Sequence, residues 1–179
     1  VQRLCVKVGI HCHEDSGMAV ASSIMAVKAG ATLVQGTLIG YGERCGNANL
    51  STIIPNLQLK CGYRCIPDEC MKKLMFITRK VAEISNVSLD ANLPYVGTNA
   101  FSHKAGMHSD AVLKLPRSFE HIPPDTVGNS RRIITSEMSG KSALLAKAKS
   151  YAPELTKTAD LTERIINKLK SLEMEGYTF

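Results

Sequence analysis

Residues 4–11, "LCVKVGIH", form a short apolar run rich in β-branched side chains, which predicts a buried strand. The run ends abruptly at the polar "EDSG", where Asp15 and Ser16 are candidate helix N-caps. In "MAVASSIMAVKA" the apolar positions Val20, Ile24 and Val27 repeat at helical spacing, and Gly30 marks the expected stop. Residues 31–40, "ATLVQGTLIG", predict a second strand. Strand, helix and strand with short joints make a βαβ unit, which requires a parallel sheet.

The Gly-rich "YGERCGNANLS" follows as a loop, with Asn49 or Ser51 placed to cap a helix starting near Thr52. Pro55 fits that helix only in its first turn. Pro67, Asp68 and Glu69 open a further helix over residues 68–86, with Leu74, Ile77, Val81 and Ile84 on one face. From Asp90 to Arg132 the periodicity dissolves into Pro, Gly, Asn and Ser, broken only by a short helix candidate, "HSDAVLK". So much irregular chain points to a functional segment or a linker. Helical spacing returns from Ser142 to Glu175, with Leu161, Ile165, Ile166, Leu169 and Leu172 on the apolar side.

Composition narrows the class. Of 179 residues, 44% are hydrophobic and 21% charged, as in ordinary globular chains. No apolar run reaches the roughly 20 residues a membrane helix needs, and no signal-peptide pattern opens the chain. The start "VQRLCVKVGI" lacks an initiator Met and reads as mid-structure, so a piece of a longer protein is expected. The six cysteines all fall in the first 70 residues within strand-like or helix-like runs, which suits reduced thiols in a cytoplasmic protein. The net charge of +6 is spread along the chain, which favours anionic small molecules over nucleic acid.

Three segments carry candidate chemistry. In "HCH", alternation along a strand sends His11 and His13 to one face and Cys12 to the other. Two imidazoles at the carboxyl end of a parallel strand make half of a divalent-metal site, where α/β folds place their ligands; the plainer alternative is a pair of ordinary loop histidines. Glu14 and Asp15 can orient those rings; the plainer alternatives are a solvated Glu14 and Asp15 as the helix cap, and for Asp15 the cap is favoured. In "GERCGNAN", Asn47 offers an amide oxygen to a hard cation, Glu43 is a candidate catalytic group and Arg44 a candidate substrate ligand. That loop can also be a simple Gly-permitted turn. In "AFSHKAGMHSDAVLK", His108 is a candidate acid–base catalyst and His103 a candidate substrate ligand, or both are surface histidines. Two other patterns are set aside: "SGKSAL" lacks the first Gly of a phosphate loop, and Cys61, Cys65 and Cys70 lack a second zinc knuckle.

Taken in order, "GIHCHEDSGMAVASSIMAVKAGATLVQGTLIGYGERCGNANL", "PYVGTNAFSHKAGMHSDAVLK" and "HIPPDTVGNSRRIITSEMSGKS" closely resemble the family of 2-isopropylmalate, citramalate and homocitrate synthases. The second stretch looks most like the citramalate synthase branch. The resemblance implies an α/β chain: the C-terminal part of a TIM (β/α)8 barrel followed by small, mainly helical subdomains. Residues 1–62 would be the last two βα units, 63–135 a linker subdomain with a helix and an irregular catalytic segment, and 136–179 a truncated helical subdomain. His11, His13 and Asn47 match the family's metal positions, for Mn, Mg or Zn. His108 matches a histidine that such enzymes bring in from the subdomain, often over the neighbouring subunit of a homodimer.

The implied reaction is a Claisen condensation of acetyl-CoA with an α-oxo acid followed by thioester hydrolysis. Pyruvate giving (R)-citramalate, toward isoleucine, is the leading case. The alternatives are 2-isopropylmalate synthase, acting on 2-oxoisovalerate toward leucine, and a non-catalytic oligomerisation or binding module. Neither a nucleic acid nor a membrane is an expected partner. The chain departs from the family twice: Glu14 replaces the usual Asn of H-x-H-N-D, and Phe119 stands where a Tyr is often found. The family's first-strand Arg-Asp motif and six of eight strands would lie upstream of Val1, so this chain alone is expected to be inactive.

Overall fold

In the computed structural model, residues 6–104, 106–134 and 159–177 are described. The chain divides into two compact units, one of residues 1–100 with 125–129, the other of residues 101–124 and 130–179.

The first unit begins with the expected βαβ motif. β1 (Gly9–His11) pairs in parallel with β2 (Leu33–Gln35), in the register Gly9↔Leu33, Ile10↔Val34 and His11↔Gln35, and α1 (Ala19–Lys28) crosses between them. Both strands are shorter than the apolar runs that predict them. Among the described residues one bond continues the ladder backward, from Thr32 N to Val8 O at 2.9 Å, residues 4 and 5 of the predicted strand lie outside them, and residues 38–40 coil into a 3-10 turn. A strand persists only where a neighbour takes its backbone groups. α2 (Leu50–Pro55) lies under this pair, and Ala19, Ala48, Ile53 and Leu57 form a buried cluster with Cys12, Val20, Ile24, Val27, Val34 and Leu50 packed on it.

Asn49 is the N-cap of α2, its Oδ1 accepting from Ser51 N at 2.9 Å. Pro55 sits at the far end of that helix, not in its first turn. It has no N–H for the α ladder, and residues 56–60 run on as a π-helical turn closed by Cys61 N to Asn56 O at 3.1 Å.

The helix expected over 68–86 is two helices, α3 (Asp68–Met71) and α4 (Leu74–Ile84). The break comes where Lys73 N turns to Cys70 O, three residues back, at 3.0 Å. Against that break lies Gly128 at φ +75°, where a Cβ would strike the Lys72 carbonyl oxygen. The buried face of α4 is also rotated from the predicted one. Leu74, Met75, Thr78 and Ala82 are buried, whereas Ile77 is 43% exposed and Ile84 75%. The rotation follows from a polar anchor: the buried Thr78 donates through Oγ1 to Ser51 Oγ of α2 at 3.3 Å. Residues 95–97 are fixed by Asn129, whose Nδ2 donates to Tyr95 O and Gly97 O at 2.9 Å each.

In the second unit β3 (Ser102–His103) pairs in parallel with β4 (Arg132–Ile133), α5 (Gly106–Lys114) follows β3, and Phe101 and Val112 are fully buried. α6 (Ala159–Met174) realises the later part of the last predicted helix, while residues 142–158 of that prediction lie outside the described residues. Among the described residues no helix is long and apolar enough to cross a membrane.

The rotated face of α4 predicts opposite outcomes for two aliphatic truncations. Leu74→Ala lowers unfolding free energy by about 2–5 kcal/mol, and Ile84→Ala changes it by no more than about 0.5 kcal/mol. Urea denaturation of both variants checks this; equal losses would put the helix back on its predicted face.

Candidate metal and catalytic site

Two loops leave the carboxyl ends of β1 and β2, residues 12–18 and 36–49, and the backbone ties them together. Ala48 N donates to Cys12 O and Glu14 N to Gly46 O, both at 3.0 Å, which makes His13 and Asn47 an antiparallel pair. The bonds flank that pair rather than join it. This is the geometry in which opposed side chains come closest, with Cα atoms about 4.5 Å apart. Alternation puts His11 on the same face as His13, so all three candidate ligands project from one surface.

The second loop is held in this register by conformations that few residues adopt. Gly46 has φ +93°, and a Cβ there would meet the Gly40 carbonyl; a Cβ on Gly42 would meet the Asn47 amide. Ile39 lies at φ +62°, a strained setting for a β-branched side chain, with its N–H taken by Ser51 Oγ at 3.1 Å. Asn47 N bonds Gly40 O at 2.8 Å, and Asn47 Nδ2 donates to Tyr41 O at 3.1 Å. With the amide nitrogen so used, Oδ1 is the atom left to serve as a ligand.

His11 Nε2 and His13 Nε2 stand 3.3 Å apart, with the rings edge to face at 68°. One nitrogen donates to the other, or both turn lone pairs toward a shared cation. Two imidazole nitrogens each about 2.0–2.1 Å from one ion are separated by about 2.9–3.4 Å at octahedral to tetrahedral angles. The 3.3 Å separation of the pair lies within that range. The remaining ring nitrogen of His13, Nδ1, is buried and has no hydrogen-bond partner. Among the described residues no three His, Cys, Asp or Glu side chains gather around one point; His11, His13 and Asn47 are the candidate donors that share this surface.

The acidic neighbours take different parts from those the sequence predicts. Asp15 does not cap α1. Both of its carboxylate oxygens accept from Arg44, from Nε at 2.7 Å and from Nη2 at 2.9 Å, and this pairing holds the Asp15 pKa below the usual carboxylate value. Glu14 takes the helix end, its Oε1 accepting from Ala19 N at 3.3 Å. Glu43 is exposed, and its side chain makes no hydrogen bond or ion pair among the described residues.

In the second unit His103 Nε2 lies 3.3 Å from Glu120 Oε1, and Glu120 accepts a two-pronged bond from Arg131 at 2.6 and 2.7 Å. The Glu120 side chain is 2% exposed. Sequence reading misses Glu120 and Arg131, because neither spacing nor neighbouring residues mark two groups drawn together by the fold. The exposed His108 stacks on Phe119 with ring centroids 4.2 Å apart, so the position lacking a hydroxyl supplies a flat apolar surface to the imidazole. "SGKSAL" lies outside the described residues.

Residues 1–81 match the HMGL-like family model, and residues 95–176 match the homocitrate synthase post-HMGL domain-like model. The chain is 52% identical to an (R)-citramalate synthase of Aquifex aeolicus over 96% of its own length and 33% of the relative's. It is 51% identical to an (R)-citramalate synthase of Synechocystis sp. over 97% of its length and 32% of the relative's. A probable 2-isopropylmalate synthase of Methanopyrus kandleri is 38% identical over 98% of the chain and 34% of the relative. The chain thus spans about a third of the length of the curated relatives it matches.

Glu120 gives the second unit a defined acid limit. Its bonds to Arg131 come first, and His103 next, in holding its pKa below the ordinary glutamate value. A depressed carboxylate contributes stability that is present above the unfolded pKa and is lost as pH falls through the folded one. Wild-type stability should therefore drop below about pH 4.5. Glu120→Gln should lose about 3 kcal/mol at pH 7, the lower end for a broken buried pair because Arg131 keeps 31% exposure, and should show a shallower acid slope. Urea midpoints at pH 7 and pH 3.5 for both proteins measure the difference.

Proposed function

The chain belongs to the family of 2-isopropylmalate, citramalate and homocitrate synthases, and from that premise we propose that it serves the condensation of acetyl-CoA with pyruvate to (R)-citramalate. The observation that carries the reading is the His11–His13 nitrogen pair at 3.3 Å with Asn47 directly across from His13. The higher identity to citramalate synthases than to the 2-isopropylmalate synthase supports pyruvate over 2-oxoisovalerate as acceptor. The parallel β1–α1–β2 unit, with its ligands beyond the strands' carboxyl ends, supports two neighbouring units of a TIM barrel. Residues 63–135 and 136–179 are then the linker and helical subdomains of a cytoplasmic homodimer.

His11, His13 and Asn47 would hold the divalent cation, through two Nε2 atoms and Oδ1. Bound there, it would supply Lewis acidity to the keto oxygen of the acceptor. The chain's own groups meet the remaining demands. Both imidazoles must present bare Nε2 atoms and so carry their protons on Nδ1. The Tyr41 carbonyl fixes which end of the Asn47 amide faces outward. Removing a proton from the acetyl methyl of a thioester at neutral pH needs a placed base, a role for His108 or Glu43. The enolate carbon adds to the keto carbon of pyruvate, and water then cleaves the thioester, releasing CoA and a free carboxylate.

The test uses the complete product of the gene that carries this sequence. Thiol release from acetyl-CoA should be fastest with pyruvate and slower with 2-oxoisovalerate and 2-oxoglutarate. His11→Ala or His13→Ala should lower turnover at least a hundredfold and remove bound metal measured by atomic emission, as expected when a first ligand is lost. Equal indifference to all three acids would end the reading, and a preference for 2-oxoisovalerate would move it to the 2-isopropylmalate branch.

A further inference from the structure

The loop-to-loop ladder has a register. Cys12 faces Ala48, His13 faces Asn47 and Glu14 faces Gly46, and the backbone bonds stop there. One step further out, the contact passes to side chains: Asp15 receives Arg44 on both carboxylate oxygens at 2.7 and 2.9 Å. Arg44 sits in the turn closed by Gly46 N to Glu43 O at 2.9 Å, in the left-handed conformation at φ +57°. A long side chain takes that conformation where its surroundings hold it. Here the turn aims the guanidinium back across the ladder, three residues from Asn47.

We propose that Asp15 and Arg44 are positioning residues: their ion pair clamps the outer end of the two loops and so sets Asn47 against His11 and His13. The inference rests on the functional reading above, and it gives Arg44 a structural part. Its Nε–Nη2 edge is committed to a carboxylate of the chain itself, which leaves the Nη1–Nη2 edge for any other anion. The clamp is well suited to tuning rather than to folding. Both side chains are about half exposed, so the loops keep their three-residue backbone ladder and the α2 anchor without it. A two-pronged geometry is also the one in which a surface ion pair has measurable worth, and lysine cannot reproduce it.

Cobalt(II) added to the full chain provides the probe, read by calorimetry for affinity and by visible absorption for the ligand arrangement. Asp15→Asn and Arg44→Lys should each weaken cobalt binding about three- to fivefold, the upper end for an exposed pair, and alter the absorption envelope, with far-UV circular dichroism unchanged. The exchanged pair Asp15→Arg with Arg44→Asp should recover most of the affinity, which a loss of shape alone would not allow. Wild-type affinity and spectrum in both single variants would overturn the clamp. A wild-type chain that holds no cobalt would overturn the functional reading instead. The clamp then stands or falls on amide hydrogen exchange at Gly46 and Asn47, which Asp15→Asn should accelerate about three- to fivefold.

Discussion

One backbone constraint governs the site: the antiparallel pairing of residues 12–14 with 46–48, which sets His13 opposite Asn47. The two loops follow strands that run parallel, and nothing in a parallel pair of strands brings a residue just past one end to face a residue twelve positions past the other. The second loop has to double back. Once it does, the flanking bonds fix the register, and a slip of one residue would turn Asn47 to the opposite face. The placement of His11, His13 and Asn47 on one surface depends on that single register being populated.

The doubling-back is enforced from below. Ser51 connects the strained turn to the core: its hydroxyl takes Ile39 N–H and also the Thr78 hydroxyl of α4. The same helix start carries the Asn49 cap, and Leu50 N bonds Thr37 O at 2.9 Å, closing the base of the loop. Strain at Ile39 is therefore balanced by buried polar contacts in which the partners are themselves locked by packing around Ile53 and Leu57. The rim is only as well ordered as the first turn of α2, and this couples the precision of the site to helix capping rather than to the site residues.

What was legible in the sequence is what is local. The βαβ motif and the grouping of His11 with His13 follow from periodicities of a few residues, and of the two cap candidates the sequence offers, Asn49 and Ser51, Asn49 takes the place. The partners of charged groups were not legible. Asp15 and Arg44 are 29 positions apart, and Glu120 and Arg131 are 11 apart across irregular chain; only the fold brings each pair within bonding distance. The face of α4 failed for a related reason. Its aliphatic stripe of Leu74, Ile77, Val81 and Ile84 is a valid helical pattern, but the buried Thr78 hydroxyl found its partner in α2 and turned the helix toward Leu74, Met75 and Ala82. Pro55 ends α2, and residues 56–60 run on as a π turn that no local pattern announces.

The crowding of chemistry in "GIHCHEDSG" is resolved by alternation. Even positions turn to the interior and the helix: Cys12 packs on the buried cluster, and Glu14 takes the Ala19 N–H at the start of α1. Odd positions serve the rim: His11 and His13 present their Nε2 atoms, and Asp15 secures the facing loop through Arg44. This division also accounts for the tolerance of Glu at position 14. A carboxylate there lies on the other side of the chain from the imidazoles, where an exposed helix N-terminus favours negative charge. Glu14 therefore takes part in how α1 begins. Dense polar sequence at a strand's end need not mean one crowded site; a period of two separates it into a scaffold and a reactive edge.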